Sequence, residues 1–168
     1  SYTGASGVRT IGHGLSKAPE FMIVKNRTLN DEPAVMAQHV GNSDWETDWF
    51  AFDRNNSLAD ATIWNDTKPT STLVTLGDYR VVNNSAGHTY IAYAWHSVEG
   101  YSKMGYASAG NGNVDGNFYN CGFSPRWIII KRVNAANNWY IFDTARTPTN
   151  PTGYVLLADT TAAEVTQT

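Results

Sequence analysis

Phe21-Met22-Ile23-Val24-Lys25-Asn26-Arg27 and Trp127-Ile128-Ile129-Ile130-Lys131-Arg132 are short apolar runs rich in β-branched and aromatic residues, each closed by basic side chains. Runs of this length and composition read as strands. The segments before them also match, His13-Gly14-Leu15-Ser16 with Pro19 in one case and Cys121-Gly122-Phe123-Ser124-Pro125 in the other. Each run is followed by an aromatic strand ending in Phe-Asp, Trp49-Phe50-Ala51-Phe52-Asp53 and Trp139-Tyr140-Ile141-Phe142-Asp143. Self-similarity of this kind predicts two related units in tandem, a first over residues 1–100 and a second over residues 101–168 packing on it.

The rest of the chain has the same texture. Further strand candidates are Asp48 to Asp53, Thr72 to Leu76, His88 to His96 and Asn138 to Asp143, with weaker ones at Val8 to Ile11, Pro33 to Gln38, Tyr79 to Asn83 and Tyr154 to Ala158. None carries the i, i+3, i+4, i+7 spacing of an amphipathic helix. Asn-Gly, Asp-Gly and Ser-Ala-Gly segments between them suit tight turns and are densest in Gly110 to Asn117, near the expected boundary. The fold expected is all-β, an antiparallel β-sandwich of jelly-roll or lectin-like type. The segment Thr160 to Thr166 fits a short helix or an exposed strand equally well.

The two units are unequal. The first runs on through Thr75-Leu76-Gly77 to the strand Tyr90-Ile91-Ala92-Tyr93-Ala94-Trp95, and the second has no counterpart of that strand before Thr168. Either the chain, which begins at Ser1 and not at Met, is cut from a longer polypeptide, or a neighbouring chain supplies the missing edge by strand addition.

Composition narrows the function classes. Six Trp, nine Tyr and six Phe provide ample apolar surface for a core, and only 16% of residues are charged. The net charge of −3 offers no basic field for a phosphate backbone, so no nucleic-acid partner is expected. Cys121 is the only cysteine, which rules out an internal disulfide and a thiolate zinc cluster within one chain. No run approaches the roughly 18 apolar residues of a membrane helix, so membrane insertion is not expected, and no signal-peptide pattern precedes Ile11.

Taken together, Tyr2-Thr3-Gly4, His13 through Arg27, Asn84 to Trp95, Val98-Glu99-Gly100-Tyr101-Ser102-Lys103, Asp115-Gly116, Gly122 to Pro125, Trp127 to Arg132 and Phe142 through Arg146 resemble a repeated β-rich domain of uncharacterised function. That domain occurs in bacteriophage tail-fibre and other virion structural proteins, especially of marine phages. The resemblance implies a virion structural module, assembled in the host cytoplasm and exposed on the particle surface. Its expected partners are further copies, other virion proteins and a host-surface glycan. It brings no catalytic residues and no cofactor, and members continue beyond the segment matching Ala162-Ala163-Glu164. The rival expectation is a carbohydrate-binding, lectin-like or adhesin module.

Candidate sites are few. Trp45-Glu46-Thr47-Asp48-Trp49 places indoles beside carboxylates, a composition that suits stacking on sugar faces and bonding to hydroxyls, so Trp45, Glu46 and Asp48 are the candidate glycan contacts. Trp45 is the expected exposed residue, and Trp49, matched to Trp139, the expected core one. His13, His39, His88 and His96 have neither metal-ligand spacing nor a nucleophile motif, and catalysis is not expected. Asn111-Gly112-Asn113-Val114-Asp115-Gly116 partly matches a calcium loop, but Asn stands first and Gly122 occupies the place of the bidentate Glu, so it reads as a turn and no metal is expected. Lys25, Arg27, Lys131 and Arg132 are expected to solvate strand ends or to pair with Asp53 and Asp143. The sequons at Asn26, Asn55, Asn65 and Asn83 are of the kind an Asn- and Thr-rich chain produces by chance.

Overall fold

A computed structural model describes residues 1–84, 86–108, 110, 112–113, 115–149 and 153–166. In chain order the strands are β1 (Tyr2–Thr3), β2 (Arg9–Gly12), β3 (Phe21–Asn26), β4 (Ala34–Ala37), β5 (Asp48–Ala51), β6 (Ala59–Asp60), β7 (Leu73–Leu76), β8 (Thr89–Trp95), β9 (Trp127–Lys131), β10 (Trp139–Asp143), β11 (Tyr154–Leu157) and β12 (Val165–Thr166). Single 3-10 turns at Trp45–Thr47 and Thr62–Trp64 are the helical elements among the described residues. The all-β expectation holds, and every pairing is antiparallel.

Three sheets form a sandwich-like arrangement. The largest has the order β1-β8-β3-β4-β5-β6, the second β12-β11-β10-β9, and β2 pairs with β7 as a two-stranded ribbon. Strand alternation explains the packing. In β3, Met22, Val24 and Asn26 are fully buried while the residues between them are half-buried. Ile11, Val74 and Leu76 of the ribbon join Met22 and Val24 in one core. On the opposite face of the large sheet, Val35 sits across from Phe50, and both are buried. Trp139 of the second sheet packs edge-on against Phe50 at 5.5 Å and tilted against Phe52 at 5.2 Å.

Asn26 ends β3 as a buried polar hub. Its amide donates to Asp31 at 3.0 Å, and its oxygen accepts the backbone N–H groups of Thr28 and Leu29, so the turn after the strand is satisfied without solvent. Asp31 in turn pairs with Arg80 at 2.9 Å.

The second sheet repeats the register of β3 to β6 strand by strand. One offset carries Phe21 to Trp127, Ile23 to Ile129, Val35 to Ile141 and Ala37 to Asp143. The same offset carries the pair Val35–Phe50 to Ile141–Leu156 and the pair Trp49–Ala59 to Val155–Val165. Even the flanking bond recurs, from Gln38 N–H to the Glu20 carbonyl and from Thr144 N–H to the Arg126 carbonyl. In this register the counterpart of β10 is β4, not β5, and Trp139 falls at the position of Pro33. The sequence pairing of Trp49 with Trp139 is therefore corrected. The shared letters Trp-aromatic-apolar-Phe-Asp outweighed the shorter, plainer Ala-Val-Met-Ala of β4.

Most expected strands appear within a residue or two. Tyr79 to Asn83 does not form one. The N–H groups of Val82, Asn83 and Asn84 all converge on the carbonyl of Tyr79, which winds the segment into a turn. Val165–Thr166 resolves the C-terminal ambiguity as a short strand against Tyr154 and Val155.

Candidate functional site

The Trp45, Glu46 and Asp48 group does not present a sugar platform. Trp45 is only 7% exposed and belongs to the core, because the 3-10 turn it opens rolls the indole inward. Glu46 lies 3.5 Å from Lys68, and Asp48 is buried and accepts from Asn42. Burial, reinforced by Asp44, Asp60 and Glu46, raises the Asp48 carboxyl above its ordinary value. The Asp48 carbonyl also accepts the indole N–H of buried Trp64 at 3.0 Å. This cluster holds the turn to the sheet, and its buried indole is not available for stacking.

Two of the four strand-end basic residues, Lys25 and Lys131, bond backbone carbonyls and not Asp53 or Asp143, at the equivalent place in their hairpins, Asp31 and Asn137. The Lys131 ammonium lies 5.9 Å from the centre of the Phe50 ring and 5.6 Å from that of Trp139, and burial lowers its pKa. Asp143 pairs with Arg146 at 2.6 Å, whose hydrogen bonds hold its carboxyl below the usual range, and Arg146 reaches on to Glu164. The histidines stay apart. His13 contacts the Thr70 carbonyl, and His96 contacts Ser16 and the Ser97 carbonyl. Among the described residues no three or more His, Cys, Asp or Glu side chains are grouped to hold a metal. The calcium-like turn includes Asn111 and Val114, which lie outside the described residues.

Two surfaces remain. The first is an aromatic row on the outer face of the large sheet. Tyr93 stacks near Trp95 with ring centres 6.2 Å apart, Trp95 leans on Phe21 at 5.6 Å, and Tyr93 and Trp95 are 50% and 40% exposed. Alternation along β8 puts both on one face, a relationship visible in the spacing of Tyr93 and Trp95 once β8 is known to be half-covered.

The second is the free side of β9. Thr144 N–H bonds the Arg126 carbonyl, so by antiparallel alternation the backbone groups of Ile128 and Ile130 face β10, and those of Trp127, Ile129 and Lys131 face away from it. No other strand of the described residues pairs there. Ile128 and Ile130 are 39% and 51% exposed, whereas their counterparts Met22 and Val24 are fully buried, and Trp127, the counterpart of half-buried Phe21, is 57% exposed. In β3 the equivalent edge is covered by β8. An open depression where the chain enters β9 and leaves β10 is lined by Ser124, Pro125, Arg126, Thr144 and Ala145. It holds a single charged group, Arg126, and no acid–base pair.

Comparison with curated proteins returns no match for the chain. Comparison with solved structures likewise returns none. The domain of unknown function DUF7483 matches residues 1–168, from end to end, and the chain belongs to that family.

Proposed function

We propose that the chain is a non-enzymatic structural module of a phage tail fibre or similar virion surface appendage, built from two related β-units that assemble with further copies or with other virion proteins. The observation that carries this reading is the uncovered side of β9. Among the described residues no strand pairs with its outward backbone groups, and Trp127, Ile128 and Ile130 are exposed there, at the position where β3 is covered by β8. A sheet edge and an apolar face left open together are what an assembling module presents to its neighbour. The resemblance noted in the sequence supplies the virion setting.

A carbohydrate-binding, lectin-like role is the second reading, favoured by the Phe21, Tyr93 and Trp95 row, which is the exposed aromatic surface that sugar stacking needs. Light scattering on the purified chain, run beside a panel of bacterial surface glycans, separates the two. A stable assembly heavier than the 18.5 kDa chain without glycan binding supports the structural role. A monomer that binds a glycan and loses it on Trp95→Ala overturns it.

A further inference from the structure

The two sheets meet at a narrow joint. Among the described residues of the second sheet and its turns, Trp139 is the buried member of the common core, with Ile129, Val133 and Ala158 partly buried beside it. The hydrogen bonds that cross run from the Trp139 indole to the Ala51 carbonyl at 3.1 Å, from Asn137 N–H to the Asn55 carbonyl at 2.7 Å, and from Leu58 N–H to the Val133 carbonyl at 3.0 Å. Val133 and Asn137 lie in the connection between β9 and β10, and Asn55 and Leu58 in that between β5 and β6. No strand of one sheet pairs with a strand of the other among the described residues, so parting the joint breaks no ladder.

Each side has its own reasons to stay folded when the joint parts. The large sheet keeps Met22, Val24, Val74 and Leu76 in a core that the ribbon closes. The second sheet keeps β9 paired with β10 along its whole length, and Val155 is fully buried outside the common core. The chain between them is a tether anchored at one end. Ser97 bonds the Glu20 carboxylate, Ser102 bonds the His96 carbonyl, and the Tyr106 ring rests on Gly41, where a Cβ would lie 2.8 Å from it. None of the described residues between Tyr106 and Trp127 belongs to a strand, and that stretch has an extended length of about 65 Å.

We propose that this junction is a parting joint, through which the two sheets swing apart and dock again as whole bodies on the tether, with the Trp139 indole as its latch. Opening exposes one indole, its socket of Phe50 and Phe52, and a few backbone groups. Unfolding the large sheet instead breaks the ladders of β3 with β4 and β8 and empties the core around Met22 and Val24. The joint costs less to open, so thermal motion or a pull along the chain reaches it first. In a surface appendage such a joint gives bend and stretch with both sheets intact, and it does so whether or not copies assemble.

Native-state hydrogen exchange on the 168-residue chain, followed residue by residue at rising urea below the unfolding transition, tests this. Asn137 N–H, Leu58 N–H and the Trp139 indole N–H are expected to exchange through one shared opening. They should show a common urea dependence and about a hundredfold less protection than Val24 in β3 or Ile128 and Ile130 in β9. Trp139→Phe keeps a ring in the socket and removes the donor to Ala51. It should speed exchange at Asn137 and Leu58 together by about tenfold and leave Val24 unchanged. If that variant does not fold, the ranking in the native chain decides by itself. Exchange of Asn137 and Leu58 at unrelated rates that ignore urea means local fraying and overturns the proposal. Exchange in step with Ile128 and Ile130, or protection equal to that of Val24, overturns it as well, because the joint then has no opening of its own.

Discussion

The indole N–H of Trp139 donates to the carbonyl oxygen of Ala51 at 3.1 Å, joining the first strand of one hairpin to the last residue of β5 in the other sheet. The ring fills the space between Phe50 and Phe52, so one side chain supplies both a hydrogen bond and an aromatic contact across the inter-sheet junction.

Trp139→Ala removes that ring and leaves the Ala51 carbonyl without its donor. Truncating a buried aromatic costs about 3–5 kcal/mol. Chemical denaturation should show a loss of that size, and the second sheet should become protease-sensitive before the first.

Trp45→Ala should behave as a core mutant. With the indole 7% exposed, the expected outcome is a loss of about 3–5 kcal/mol in stability and unchanged binding, relative to the folded fraction, to any glycan the native chain recognises. Thermal unfolding together with a glycan panel reads both, and loss of binding without loss of stability would restore Trp45 as a contact.

Gly77 is required by close backbone approach. A Cβ there would lie 2.1 Å from the Thr62 carbonyl oxygen, and the Gly77 N–H already donates to Ile63 at 2.7 Å. Gly77→Ala should force β7 away from the Thr62–Trp64 turn at a cost of about 1–3 kcal/mol, measurable as a lower midpoint in urea.

Two carboxylates make opposite contributions to the pH dependence of stability. The folded-state value of Asp143 is depressed by Arg146, so its contribution is present above the unfolded value and is lost as pH falls through the folded one. Asp48 is raised by burial, so the folded state is penalised at neutral pH and relieved as pH falls through its folded value. Asp48→Asn keeps an oxygen for Asn42 to bond. It should raise the melting temperature at pH 7 and lose that advantage below the ordinary carboxylate range, whereas Asp143→Asn should lower it at pH 7 and converge with the native chain in acid.

The strands were legible because alternation and β-branched runs are local properties. Met22 and Val24, Tyr93 and Trp95, and the Ile128 to Ile130 run all declared themselves by composition. Partners were less legible. Trp139 resembles Trp49 in its letters, yet its register position belongs to Pro33, because pairing is set by turn length and not by side-chain identity. Trp45 failed for a related reason. A residue beside two carboxylates looks exposed until a 3-10 turn rotates it inward, and nothing in five residues of sequence encodes that rotation. The two-residue strands β1 and β6 carry too few residues to show a period at all.

The strand orders of the two sheets impose different folding itineraries. β9 to β12 follow one another as a plain meander, so each pairing closes a short loop and the second sheet zips from any hairpin outward. The large sheet must bring Tyr2 to Tyr90 and insert β8 between β1 and β3, contacts that close long loops and form slowly. Until β8 arrives, β3 is bare along that side, as β9 is among the described residues. During synthesis, with β9 still to emerge, the first half of the chain therefore passes through an interval in which its own edge is open to capture, and the speed of β8 docking decides whether neighbouring nascent chains tangle or mature separately.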